Sequence, residues 1–379
     1  MQKHKVIAHL VFFLILLTGC AWSPEEVTSI STRCVSVDKE FPASVHLSGK
    51  LVLEGAQSYL LDLKTKSKET LPIHSVSDRD IVSDLKVSPD GRKLVFMFYR
   101  YNQRTGEFQD KHLELVQGDG VQQEIDSWRP DFGTLVRWFG NDWLLFAPDG
   151  RDLGTIILFN PRDGLTKEVP GKFQGMVDLP PVPAWYQGSN PLPLYDSSLS
   201  LAVFLQGNDA MEFVLWDTKA NNLLWKKRVS DPAVQPQWSP SGEKVVFAIP
   251  QGPIFDFYSV DRSGHESRLT NLGANDRFIY IGPFSWSPDG QRIAFWLDAR
   301  NDQDEFNPGL AVFDIDKGEI VNYCLGKGGR MPVWSPDGKQ IAITIQPDDS
   351  SSPVLVVFDV STRSAVSVAE KVYPVGWVH

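Results

Sequence analysis

An acidic stretch at residues 298–308, DARNDQDEFNP, carries oxygen ligands of the kind that calcium prefers, on Asp298, Asp302, Asp304 and Glu305. Their spacing, D-x-x-x-D-x-D-E, differs from that of the EF-hand loop, although calcium sites in other folds need not follow that pattern. The competing interpretation is a solvated acidic loop, and it is the one we favour. The stretch therefore stays a weak calcium candidate, and we assign no metal ligand elsewhere.

A second set of carboxylates recurs inside a repeated sequence. WSPSGEKVVF from Trp238, WSPDGQRIAF from Trp286 and WSPDGKQIAI from Trp334 start 48 residues apart, and VSPDGRKLVF from Val87 is a further copy. Ser241 replaces the aspartate in one copy, and active sites are not built from one carboxylate per repeat. We interpret S-P-D-G as a structural turn in which Pro pre-sets φ, Asp bonds nearby backbone and Gly takes positive φ.

Weaker copies complete the set: WFGNDWLLF from Trp138, YDSSLSLAVF from Tyr195 and LSGKLVL at residues 47–53. In each unit an aromatic residue ends a short extended segment, the turn follows, and apolar strands separated by polar turns come next. Units of about 40–50 residues with four strands are typical of propeller blades. We predict an all-β fold with seven four-stranded blades, and the weak copies leave six or eight open.

The motif W-S-P-D-G followed by K-x-I-A-F resembles the WD40-like β-propeller repeat of the TolB type over most of residues 45–379. The resemblance implies the fold and is nearly silent on activity, because members include both partner-binding propellers and propellers attached to hydrolase domains. The final segment, VYPVGW, resembles a blade-opening strand with no blade after it, so we expect it to pair with the N-terminal strands and close the ring. We expect the repeated tryptophans to pack between neighbouring blades: Trp138, Trp238, Trp286, Trp334 and Trp377.

The N-terminal segment has the features of an export signal. Two lysines precede an apolar run at residues 6–17, which is too short for a permanent membrane span. The run ends at Leu-Thr-Gly-Cys20, which resembles the bacterial lipoprotein signal and implies acylation of Cys20 after cleavage; an ordinary secretory signal is the alternative. We therefore expect a signal peptide at residues 1–19, a lipidated tether at 20–40 and the propeller at 41–379.

The anchor and the charge indicate where the protein acts. Acyl chains on Cys20 would hold it on the cell membrane or outer membrane, facing the periplasm or the exterior. The net charge of −10 and the absence of a Lys/Arg-rich run exclude the electrostatic pattern of a nucleic-acid binder. Cys34 and Cys324 are either bridged in that oxidising compartment or free, and the sequence leaves this open.

Function on a propeller usually lies in the loops of one face, because the strands are committed to packing. The irregular segments are a basic and aromatic loop at 100–110, the segment PQGPIFD, the acidic loop, and a Pro-rich insertion at 171–194 that either contacts a partner or packs as a lid. The candidate binding residues on these segments are Arg100, Tyr101, Trp185, Tyr186, Phe255, Arg300 and Phe306.

Catalytic and cofactor motifs are missing from the sequence. It contains no G-x-S-x-G elbow, no H-E-x-x-H, no P-loop and no G-x-G-x-x-G fingerprint, so we assign no catalytic residue and expect no cofactor. We expect a scaffold or recognition module for another envelope or surface protein. The alternative is a small-ligand-binding, hydrolytic or lyase propeller that uses the central channel. Convergent carboxylates, His or Arg at the channel would favour a ligand, and a broad apolar patch would favour a protein.

Overall fold

The computed structural model describes the chain as a set of antiparallel β-sheets. The described residues are 26–40, 47, 49–71, 80–102, 104–117, 121–129, 133–147, 155–171, 173, 193–206, 211–229, 235–274, 278–300, 308–347 and 351–378. Within them, no helix is both long and apolar enough to cross a membrane. One short 3-10 turn covers Leu272–Ala274.

The described residues form thirty strands. In chain order they are β1 (Ile30–Thr32), β2 (Val37–Asp38), β3 (Lys50–Glu54), β4 (Tyr59–Asp62), β5 (Lys68–Thr70), β6 (Asp80–Val87), β7 (Lys93–Asn102), β8 (Glu107–Gln117), β9 (Gln122–Glu124), β10 (Thr134–Phe139), β11 (Trp143–Ala147), β12 (Thr155–Phe159), β13 (Thr166–Pro170), β14 (Leu194–Tyr195), β15 (Leu201–Gln206), β16 (Met211–Asp217), β17 (Asn222–Val229), β18 (Gln237–Trp238), β19 (Lys244–Gln251), β20 (Ile254–Asp261), β21 (Glu266–Arg268), β22 (Phe278–Trp286), β23 (Arg292–Arg300), β24 (Gly309–Asp314), β25 (Glu319–Asn322), β26 (Val333–Trp334), β27 (Gln340–Ile345), β28 (Val354–Asp359), β29 (Ser364–Glu370) and β30 (Tyr373–Val378).

These strands fall into groups of four. The sheets run β30-β3-β4-β5, β6 to β9, β10 to β13, β14 to β17 and β26 to β29, with β2 added at the edge of the last. The strands β18 to β21 and β22 to β25 form two further groups, which share one nine-stranded sheet with β1. They are joined by a single parallel pair, Ile254 with Ile279.

The core lies between neighbouring sheets. One cluster brings Leu310 and Val312 of β24 against Ile341 and Ile343 of β27, with Phe358 of β28 beside them. Both faces of the inner strands are covered in this way, and all six positions of β27 are buried. A strand that is buried on both faces needs no polar alternation, which explains the continuous apolar runs after each turn.

The S-P-D-G motif is a structural turn, as predicted. In the copy at Ser287, the hydroxyl donates to Asp289, the backbone N–H of Gln291 donates to the same carboxylate at 3.0 Å, and Gly290 has φ of 71°. Burial raises the pKa of Asp289, but these hydrogen bonds and Arg292 outweigh it, so the net pKa lies below its usual value. The carboxylate is therefore committed to holding the turn.

Tryptophans at five of the seven repeat positions pack between neighbouring strand groups, as predicted. In four of them the indole N–H donates to a carbonyl on or next to the first strand of the preceding group: Trp138 to Lys86 at 2.8 Å, Trp238 to Leu194 at 2.7 Å, Trp334 to Ser285 at 3.2 Å and Trp377 to Val333 at 3.2 Å. Trp286 is also buried, but its indole nitrogen has no acceptor among the described residues.

The C-terminal strand β30 shares a sheet with β3, β4 and β5 from the N-terminal part of the chain. β30 pairs antiparallel with β3, with Trp377 opposite Leu51 and Tyr373 opposite Glu54. Leu51 is fully buried and Trp377 is 3% exposed. The C-terminal segment thus pairs with the N-terminal strands, as its resemblance to a blade-opening strand led us to expect.

The tether prediction is wrong for the part of residues 20–40 that the structure describes. β1 pairs in parallel with β25, β2 pairs in parallel with β29, and Val27 is buried. Cys34 is bonded to Cys324, with the two Cα atoms 4.8 Å apart. The outer strands present unpaired N–H and C=O groups. The segment covers them, and Val27, Ile30 and Val35 pack against the neighbouring cores.

Candidate functional site

A cavity of about 1080 Å³ lies where the first strands of the groups meet. Its wall includes residues of β6, β10, β18, β22, β26 and β30. Six of the seven strand groups therefore contribute to one space through the corresponding strand.

The position just before the repeated aromatic faces this cavity in three groups, and in the group of β6 the same position precedes Val87, which replaces the aromatic. The residues there are Lys86, Arg137, Gln237 and Val333, and all of them line the wall. Side chains alternate along a strand, so when the aromatic packs between sheets the preceding residue points the other way. The repeat thereby supplies a ring of positions whose residue types are free to vary.

β-Bulges shape the same wall. The register shifts between Ser83 and Lys86 in β6, between Leu135 and Arg137 in β10, and between Ile281 and Phe284 in β22. The intervening residues line the cavity, and one of them, Asp84, has φ of 54°. Bulges re-aim side chains and are common beside functional sites. Left-handed backbone at a non-glycine residue is also typical of functional sites.

Arg137 is the most unusual group in the cavity. Its side chain is partly accessible, yet it makes no ion pair and no side-chain hydrogen bond to any described residue. Burial lowers its pKa to about 10, so the guanidinium remains charged at neutral pH. A desolvated charge without a partner costs free energy. An anion that entered the cavity would recover that cost, and the guanidinium can bind a carboxylate or phosphate in a bidentate manner.

The other charged groups of the wall differ in how far they are engaged. Arg330 is held by Glu54 at 2.5 Å, and its guanidinium lies 3.9 Å from the centre of the Tyr373 ring. Lys86 forms no ion pair among the described residues. Burial raises the pKa of Asp298, and Lys327 only partly opposes it.

Asp298→Asn is expected to stabilise the protein at pH 8 and to change little at pH 4. An acid whose folded-state pKa is raised keeps its stability contribution below the unfolded pKa and loses it as pH rises through the folded pKa. The amide resembles the protonated acid and removes that loss. The urea midpoint at both pH values measures the effect.

Asp289→Asn is the matched comparison, because we expect its effect on the free energy of unfolding to have the opposite sign. The pKa of Asp289 is lowered, so its contribution is present at neutral pH and is lost as pH falls through the folded pKa. Its amide variant should lose about 1 kcal/mol at pH 7 and less at low pH. If both variants shifted the midpoint in the same direction at pH 8, the opposite assignments would be wrong.

Three predicted binding residues lie in strands, not in irregular loops. Arg100 and Tyr101 belong to β7, which pairs antiparallel with β8, and the N–H of Gly106 donates to the carbonyl of Asn102 at 2.8 Å. Arg300 ends β23 and pairs with Phe278. The predicted loops begin too early in the chain, because polar residues extend an antiparallel ladder when their backbone groups are hydrogen-bonded to the neighbouring strand.

Phe255 is not exposed, which corrects its assignment to a binding surface. The segment PQGPIFD is a tight hairpin between β19 and β20, and Phe255 is 8% exposed. Its ring meets Tyr280 edge-on, with centroids 5.2 Å apart. The turn at Gly252 therefore turns the phenylalanine inward.

The remaining predicted positions are outside the described residues. They are Cys20, Trp185, Tyr186, Asp302, Asp304, Glu305 and Phe306. Asp298, the fourth calcium candidate, lies in β23 and lines the cavity. Lys86 and Arg137 were missed, although a charge directly before the start of the repeated motif, in KVSPDG and RWFG, was a usable signal.

No protein-family model and no curated protein matches this sequence. Among solved structures, an oligogalacturonate lyase from Vibrio parahaemolyticus has a TM-score of 0.54 at 12% identity, covering 86% of this chain and 87% of that one. The chain folds as a β-propeller. The likeness concerns the fold alone, because the sequences share so few residues.

Two other propeller structures are similar at a lower level. TolB from Acinetobacter baumannii has a TM-score of 0.43 at 16% identity, covering 87% of this chain and 67% of that one. The β-propeller domain of the Trilobed protease from Pyrococcus furiosus has a TM-score of 0.47 at 12% identity, covering 76% and 83%.

Proposed function

We propose that the propeller binds a small anionic ligand in its central channel. The observation that carries the proposal is the guanidinium of Arg137, which burial disfavours and which has no partner among the described residues, in a cavity of about 1080 Å³. Lys86 lies at the corresponding position of the neighbouring strand group and adds a second positive charge. A carboxylate- or phosphate-bearing molecule fits this arrangement, with Arg137 as its main contact.

The composition of the channel wall favours a ligand over a protein partner. Charged and polar side chains converge there with aromatic rings from Tyr280 and Trp296, as in small-molecule sites. The exposed large apolar side chains of the described residues lie on different sheets or loops: Val37, Val121, Leu165, Leu223, Phe278 and Met331. We propose binding as the function, with Arg137 and Lys86 as the contacts for the anion.

Isothermal titration of the full chain tests the proposal. The panel is inorganic phosphate, succinate and digalacturonate, the last because one fold neighbour is an oligogalacturonate lyase. We expect saturable binding of at least one anion and tighter binding to Asp298→Asn, which removes negative charge from the wall. Absence of binding by every anion in the panel would contradict the proposal and favour the scaffold role expected from the sequence.

We also propose that the groups are seven blades closed into one ring by β30. The support is the pairing of β30 with β3 and the indole contacts that join successive groups. Each group contributes four strands in chain order, apart from the one that combines β30 with β3, β4 and β5.

We further propose that Cys20 anchors the propeller to an envelope membrane. The support is the apolar run ending at Leu-Thr-Gly-Cys20 and the bonded pair of Cys34 with Cys324, which suits an oxidising compartment. Cys20→Ser is expected to block processing or to release the protein from membranes in cell fractionation. Normal cleavage with full membrane retention would contradict lipidation.

A further inference from the structure

A second cluster of ligand-bearing side chains lies on the third and fourth strands of the group β6 to β9. His112 and Glu114 are two residues apart on β8 and therefore face the same side of the sheet. Glu124 of β9 is directly opposite Glu114 in the strand register. One imidazole and two carboxylates are thus placed together by strand geometry alone.

The three side chains are close enough to share one ion. The His112 Nε2 atom is 3.1 Å from Glu114 Oε1, and one ligand atom from each of the three residues lies within 4.8 Å of the others. The imidazole ring stacks on Phe98 with centroids 4.5 Å apart. This stacking fixes the plane in which the nitrogen presents its lone pair.

The two carboxylates of the cluster favour binding of a cation. Glu114 is 8% exposed, and like charges directly opposite each other destabilise a sheet. The Leu113–Ile125 pair next to it is hydrogen-bonded at 2.9 Å, so Glu114 and Glu124 form the closer, non-hydrogen-bonded kind of pair. Among the described residues, no Lys or Arg forms an ion pair with either glutamate.

The nearest basic side chain on β8 does not relieve this charge. Lys111 points to the other face of the sheet, where its ammonium lies 5.6 Å from the centre of the Tyr99 ring and 5.7 Å from that of Trp128. The hydrogen bond from His112 is therefore the contact in place for the buried carboxylate of Glu114. A bound metal ion would replace that contact and neutralise both carboxylates.

We propose that His112, Glu114 and Glu124 bind a divalent transition-metal ion, with Zn²⁺ as the reference ion. Imidazole nitrogen and carboxylate oxygen together suit zinc and its neighbours better than calcium, which prefers oxygen alone. A water molecule would complete the coordination on the exposed side of Glu124. The cluster lies on outer strands and shares no residue with the channel wall, so this site is independent of the anion site.

Zinc binding to the full chain, purified without a histidine tag, tests the site. Calorimetry with ZnCl₂ and metal analysis after dialysis should give one ion per chain. Glu124→Gln should weaken binding at least about 10-fold, and His112→Phe, which keeps the ring stacked on Phe98, should do the same. Glu168→Gln, an exposed glutamate on β13, is the matched control and should bind as the wild type does.

Thermal unfolding separates ligation from a structural role. An ion that binds only the folded protein raises its unfolding temperature, so Zn²⁺ should stabilise the wild type and Glu168→Gln but not Glu124→Gln. A wild type without one bound ion, or equal zinc affinity in Glu124→Gln and Glu168→Gln, would overturn the proposal.

Discussion

Arg137→Gln is expected to weaken anion binding by at least about 30-fold. Removing one partner of a desolvated, hydrogen-bonded charge pair costs about 2–5 kcal/mol, and each 1.4 kcal/mol is about tenfold in affinity. The guanidinium has no competing partner among the described residues, so its full donor set is available to the ligand. Isothermal titration of the variant with the anion that binds the wild type measures the loss.

The same variant should not lose stability. A charge that burial disfavours, as the lowered pKa of Arg137 indicates, destabilises the ligand-free fold. Its replacement by a neutral side chain is expected to leave the urea midpoint unchanged or to raise it. A residue that weakens the fold and supplies binding is a recurrent feature of functional sites.

Arg92→Gln is the matched control for both effects. It removes the same charge from an exposed position in the turn after β6, outside the cavity wall. Equal anion affinities of Arg92→Gln and Arg137→Gln would show that only the net charge matters. A large loss of stability in Arg137→Gln would show that the arginine holds the fold together.

Deletion of residues 372–379 is expected to abolish cooperative folding. It removes β30, exposes the fully buried Leu51 and Val52 of β3, and takes away the indole contact from Trp377 to Val333. The loss of a buried tryptophan alone costs about 3–5 kcal/mol, against a total stability of about 5–15 kcal/mol. Urea unfolding followed by tryptophan fluorescence and by circular dichroism measures the change.

Two further variants make the deletion interpretable. Removal of His379 alone should unfold like the wild type, because it leaves β30 complete. Trp377→Ala should unfold cooperatively at a lower urea concentration. A deletion of residues 372–379 with an unchanged midpoint would contradict closure of the ring by β30.

The fold could be predicted from the sequence because the residue types in each part of the repeat indicate the structural role of that part. One repeat contains the main parts of a blade. They are a Trp that packs between sheets, a turn held by Asp289 and Gly290, and a strand that is apolar on both faces. The C-terminal segment was recognised because it has the aromatic ending of an opening strand. What the sequence did not reveal is that residues 26–38 pair with outer strands, since that pairing uses backbone groups more than side chains.

The candidate site was harder to predict for a geometric reason. The irregular loops stand out in the sequence, whereas Lys86 and Arg137 lie on the first strands of their groups, directly before the position that holds a tryptophan in most copies of the repeat. Which side of a strand faces the axis follows from the alternation of side chains, but the bulges in β6, β10 and β22 shift that alternation locally. The convergence of these strands on one cavity depends on how several strand groups pack together and is a property of no single segment.

A crystal structure of the full chain with the tightest-binding anion of the panel tests the central claim most directly. The ligand is expected in the channel, with its anionic group within about 3 Å of the Arg137 guanidinium in hydrogen-bonding geometry. An ordered ligand at any other place on the propeller, with Arg137 making no contact to it, would contradict the claim.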